Sequence, residues 1–166
     1  MNRPPKEFKY IPVEQLRALG TSCLQAAGMP DQHAQQLAHL LSNSDLRGVR
    51  SHGTRTLYGY CKTIRDGGVN PNPDITIVNE TDTSILIDGD GGLGYAPTML
   101  ATEKAIEKAK EKGIAVGAAR CIGHYGSAGH YVRRAMEEGC TAYSVQGSYP
   151  QYYNSNEGKR AAHNGN

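Results

Sequence analysis

The chain has 166 residues, 38% of them hydrophobic and 20% charged, and a formal net charge of +2. It is too apolar and too weakly charged for an intrinsically disordered chain, and no apolar run approaches the roughly 20 residues of a membrane span. Its mixed charge offers neither a nucleic-acid face nor a basic membrane arm, and its length suits a single domain of about 100–200 residues. Four separated cysteines (Cys23, Cys61, Cys121, Cys140) read as reduced thiols of a cytoplasmic protein rather than a disulfide frame or zinc site. The N-terminus, Met1-Asn2-Arg3-Pro4, leads into no secretory apolar region.

Helices come first along the chain. Residues 13–27 place Val13, Leu16, Leu19, Cys23, Leu24 and Ala27 on a helical stripe that Gly28-Met29-Pro30 ends. Asp31 suits the N-cap of a second helix to about Leu46, with Ala34, Leu37, Ala38 and Leu41 on one face. A third, shorter helix covers about 53–64 before Asp66-Gly67-Gly68. Pro71 and Pro73 separate these helices from two predicted strands, 75–78 and 84–88, and a glycine turn. A long amphipathic helix over 96–112 follows, with Gly113 as its stop, then a strand over 114–119, a helix over 127–138 and a strand over 141–145. The expected fold is α/β: a helical subdomain over 1–70, an α/β portion over 71–150 with a partial mixed sheet, and an irregular tail over 151–166 that looks interrupted rather than finished.

The 20 glycines cluster, and two of the three chemically interesting segments are built on them. Gly89-Asp90-Gly91-Gly92-Leu93-Gly94 is a literal G-x-G-x-x-G between a predicted strand and a predicted helix, where backbone amides can hold a pyrophosphate. A dinucleotide site also wants a carboxylate ending the next strand, and this one ends Ala118-Ala119-Arg120-Cys121. Asp88 and Asp90 would further set negative charge beside the phosphates, so a glycine-requiring turn is the simpler reading.

The second segment, Asp45-Leu46-Arg47-Gly48-Val49-Arg50-Ser51-His52-Gly53, crowds a hydroxyl, an imidazole and arginines into a helix break. Arginine grips carboxylates through paired bonds, and histidine exchanges protons near neutral pH. The plainer alternative makes Ser51 an N-cap and leaves His52 merely exposed. The third segment, Cys121-Ile122-Gly123-His124-Tyr125-Gly126-Ser127-Ala128-Gly129-His130, follows a strand and precedes a helix, where open α/β proteins place ligands. Pattern alone leaves His124 open to a functional or a structural role. His130 reads as a helix-surface residue and Cys121 as a buried strand-end thiol.

In order and spacing, Asp45-Leu-Arg-Gly-Val-Arg-Ser-His-Gly, Ile87-Asp-Gly-Asp-Gly-Gly-Leu-Gly, Ala109-Lys-Glu-Lys-Gly-Ile and Gly123-His-Tyr-Gly-Ser-Ala-Gly-His-Tyr resemble one family. It is the second type of malate/L-lactate dehydrogenases, which includes ureidoglycolate, sulfolactate and diketogulonate dehydrogenases. The resemblance covers about residues 10–150 and corresponds to an N-terminal half. It implies a non-Rossmann fold, a homodimer, and NAD- or NADP-dependent interconversion of small 2-hydroxy and 2-keto acids. It also implies that His124 transfers the proton, that Ser51 and His52 contact substrate, and that Ser148 lies against the cofactor. The chain departs from the family pattern at Ile122-Gly123 before His124, where Ser-Asn is usual. It departs again at Thr56, where an arginine is expected beside Arg55, and at Val145-Gln146-Gly147-Ser148-Tyr149-Pro150. The alternative from another class is a catalytically inactive, truncated relative that serves as an interaction or dimerisation module.

Overall fold

The computed structural model describes Glu7 and residues 9–147. Five helices, α1 (Val13–Ala26), α2 (Asp31–Leu46), α3 (Leu57–Arg65), α4 (Tyr95–Lys112) and α5 (Gly129–Glu137), accompany three strands, β1 (Thr76–Glu80), β2 (Ser84–Asp88) and β3 (Val116–Arg120). Two short 3-10 turns, Arg50–His52 and Thr54–Thr56, connect α2 to α3. The architecture is the mixed α/β arrangement that the sequence pattern implies.

The apolar face expected of α2 is the one it buries: Ala34, Leu37, Ala38 and Leu41 are each 2% exposed or less. Leu24 from α1, Tyr60 and Ile64 from α3, and Leu93 and Tyr95 at the start of α4 join the same cluster. Close crossing of α1 on α2 uses Gly20, where a Cβ would stand 3.2 Å from that of Ala38. Asp31 opens α2 but does not cap it: Pro30 holds the cap position, and the Asp31 carboxylate accepts hydrogen bonds from Gln25 and Gln35. As the first helical residue it still faces the positive end of the helix dipole.

In the sheet, of order β1-β2-β3, β1 runs antiparallel to β2 while β2 and β3 are parallel, joined by α4. Helix α4 packs on β2 and β3 so closely that a Cβ on Gly117 would lie 2.4 Å from the Ala101 carbonyl oxygen. Ile85, Ile87 and Ala101 form the small core between them. Residues 141–145 are not a strand: they pair with no described strand, although exposure alternates along them with period two. A strand is defined by its ladder, and alternating side chains alone do not supply the partner.

Candidate active site

The carboxyl ends of the parallel strands β2 and β3 run into two loops that hold each other. Gly89 and Gly91 donate their N–H groups to the carbonyls of Arg120 and Cys121, Gly123 donates to Gly92, and Gly94 donates to the His124 carbonyl at 3.0 Å. The Asp90 N–H goes to the Asp88 carboxylate and that of Gly92 to the Gly89 carbonyl. The amides a pyrophosphate would need are therefore already used within the protein. The glycines are also tightly covered: a Cβ on Gly92 would come 2.6 Å from Pro73, and one on Gly94 would come 2.6 Å from Tyr125. The 89–94 turn does not fit a phosphate; it is the clamp that sets the backbone of His124.

His124 is exposed, yet one edge of its ring meets the buried Tyr60 of α3. The Tyr60 hydroxyl lies 2.6 Å from His124 Nδ1 and 2.8 Å from the hydroxyl of Tyr95, which is itself 2% exposed. Loss of water around that edge, with the neighbouring His52 second, holds the His124 imidazole below the ordinary histidine value. Gly126 is required here by Tyr95 rather than by a ligand. Its φ is +81°, and a Cβ would fall 2.5 Å from the tyrosine ring.

His52 comes from the helix break and stacks on His124, with ring centroids 5.7 Å apart and planes 21° from parallel. Its Nδ1 lies 2.9 Å from Ser51 Oγ. Ser51 thus sits within a 3-10 turn and contacts its neighbouring imidazole, and its side chain caps no helix. Asp45, at the end of α2, fixes this break: its Oδ2 accepts from the Thr54 N–H at 2.9 Å and from the Thr54 hydroxyl at 2.5 Å. A Cβ on Gly53 would stand 1.8 Å from Asp45 Oδ1, so the carboxylate occupies the space a side chain there would need. Two segments 72 positions apart (124 − 52) thereby present stacked imidazoles at one exposed point.

Three residues to which sequence reasoning gave no role, Asp45, Tyr60 and Tyr95, thus build the site. Two expectations are corrected. His130 is buried, 5% exposed, with Nε2 lying 3.2 Å from Ser44 Oγ of α2. It lies on the face of α5 that also buries Tyr131 and Ala135. Cys121, at a φ of +52° just after β3, is exposed rather than buried. Ser148 lies outside the described residues.

An α/β chain that sets paired histidines beyond the carboxyl ends of its parallel strands has the form of a small-molecule enzyme site. The comparisons give that class its family. Residues 11–163 match the malate/L-lactate dehydrogenase family model, and the chain belongs to that family. It is 40% identical over 145 residues to a malate dehydrogenase of Pyrococcus horikoshii, covering 87% of this chain and 40% of the relative. It is 37% identical over 127 residues to an L-sulfolactate dehydrogenase of Methanocaldococcus jannaschii, covering 76% and 37%. The solved Pyrococcus horikoshii malate dehydrogenase superposes with a TM-score of 0.76 at 39% identity, over 81% of this chain and 39% of that one. The chain spans about two fifths of the length of these relatives.

Proposed function

We propose that this chain forms the N-terminal part of an oxidoreductase that interconverts small 2-hydroxy and 2-keto acids with NAD or NADP. The observation that carries this reading is the stacked His52–His124 pair, one ring exposed and anchored from beneath by Tyr60. In oxidation, His124 takes the hydroxyl proton as the hydride leaves the carbinol carbon, and in reduction it returns that proton to the carbonyl oxygen. A nicotinamide, when bound, exchanges the hydride; Ser148 is the residue assigned to it. His52, oriented by Ser51, binds the substrate's carboxylate end, and Arg50 and Arg55 supply positive charge from the same two turns. A histidine held below its ordinary value is largely neutral at pH 7, ready to accept a proton.

The experiment is a steady-state assay of NADH and NADPH absorbance with pyruvate, oxaloacetate and related keto acids. It is run on a full-length protein containing this chain. Turnover of at least one keto acid is expected. A folded protein that turns over none of them contradicts the proposal and favours an interaction module.

A further inference from the structure

A cavity of about 220 Å³ lies between α2 and α5, and neither His52 nor His124 lines it. His39 and Asn43 face it from α2, Arg47 from just past that helix, and His130, Arg133 and Glu137 from α5. Arg134 also reaches the cavity but is fully engaged, holding Glu103 through two bonds and Glu138 through a third. Arg133 has no such partner among the described residues, and its Nε–H is buried without an acceptor. Its guanidinium lies back over the first turn of α5, where a Cβ on Gly129 would stand 2.7 Å from Nη2. Glu137, one turn further on, forms no ion pair with it among the described residues. Arg47 donates to the Asn43 carbonyl at 3.3 Å and likewise pairs with no described carboxylate. A buried donor on a charged group is costly when it lacks an acceptor, and native structures usually answer it with a water or an ion.

The surrounding charges leave the cavity electropositive. Burial, and then Arg47, hold the Arg133 guanidinium below its ordinary value, with Glu137 opposing them. After burial, Arg133 and Arg47 are also the charges that most resist a proton on His130. Arg47 acts on His39 in the same direction, behind burial and Arg17. Both histidines are therefore largely neutral at pH 7, and two arginines face one exposed carboxylate, that of Glu137. The surplus is one positive charge, which a carboxylate balances and a phosphate dianion would overrun. We propose that the α2–α5 cavity is a carboxylate-binding site in which Arg133, through its Nε–H, and Arg47 grip the ligand. Arg134 shows the pairing on the same helix, since guanidinium and carboxylate meet through parallel bonds. The volume is below the roughly 300 Å³ at which pockets for drug-sized ligands begin. The occupant is accordingly a small free acid or one acidic side chain from the remainder of a full-length protein.

The test reads the Arg133 Nε–H directly, in proton–nitrogen NMR spectra of the 166-residue chain labelled with nitrogen-15, and needs no turnover. Arg133→Lys assigns the signal, and melting temperatures confirm that each variant folds. Sodium acetate, exchanged against chloride at constant ionic strength, should move the signal downfield and saturate. Arg47→Gln should weaken that response by about tenfold or more, the loss of one charge-assisted partner. Arg65→Gln, at the exposed end of α3, should leave it unchanged. A signal that acetate does not move to saturation, or one that Arg47→Gln weakens no more than Arg65→Gln does, overturns the proposal. The same signal in a full-length protein separates the two sources. A signal already downfield and indifferent to acetate marks a carboxylate of the protein itself, and one that responds as in the 166-residue chain marks a free acid. A full-length signal that stays upfield and does not respond overturns the proposal.

Discussion

A single buried histidine shows how strongly this fold sets its side-chain chemistry. Burial, aided by Arg133 and Arg47, brings His130 down to about 4, against an ordinary 6.5. Between those values the unfolded chain binds a proton that the folded chain refuses, so stability falls as pH is lowered through this window and levels off below it. At 1.36 kcal/mol per unit the loss is roughly 2–4 kcal/mol. His124 and His39 are lowered too and act in the same direction. Urea midpoints measured from pH 7 to pH 4 should therefore fall, and His130→Gln should flatten the profile while keeping a partner for Ser44. A midpoint that holds or rises on acidification contradicts this account. Sequence placed His130 on the helix surface because its partner, Ser44, lies 86 residues away. No local pattern distinguishes a polar residue that will be buried and paired from one that stays wet. Tyr60 and Tyr95 were hidden for the same reason: Tyr60 lies 64 residues from His124 and 35 from Tyr95.

Short elements do the positioning. The break between α2 and α3 keeps its shape because Asp45 reaches nine residues ahead to the Thr54 N–H and hydroxyl, filling the space beside Gly53. Hydrogen bonds to a charged acceptor contribute about 1.5–3 kcal/mol. Asp45→Ala should lower stability by about 1–3 kcal/mol and reduce kcat/KM in a full-length protein by misplacing His52. Gly53→Ala alone should cost a similar amount, since its Cβ displaces the carboxylate, whereas in an Asp45→Ala background the added methyl should cost little. A double-mutant cycle reads this directly, and strictly additive effects would sink the idea. Here the sequence was informative: the glycine breaks, the α2 face and the Gly113 stop, at φ +87°, all lie where pattern put them. What it could not show was the use of the glycine-rich 89–94 turn, whose amides bind the neighbouring loop. A motif specifies a backbone shape, and only the surroundings decide whether a phosphate or a protein carbonyl meets it.

At the scale of the whole molecule, one side of the sheet is covered and the edges are not. Every residue of β1 is exposed, and Val116, Tyr143 and Val145 are 63%, 89% and 69% exposed. Apolar side chains on edge strands and on uncovered segments favour association. The 166-residue chain by itself should thus elute from size-exclusion chromatography as a dimer or larger species, and a stable monomer at high micromolar concentration would count against this. Catalysis belongs to the same scale, because the relatives are more than twice as long as this chain. The most direct measurement is the pH dependence of kcat, in both reaction directions, for a full-length protein containing this chain and for its His124→Ala variant. Oxidation should lose rate on acidification and reduction should lose it as pH rises. Both limbs should lie below the ordinary histidine value of 6.5, because His124 is held down by burial and by His52. The variant should lose about 100- to 10,000-fold in kcat together with the limb, while still binding NADH or NADPH. A His124→Ala enzyme that retained both its kcat and its limb would show that His124 does not transfer the proton.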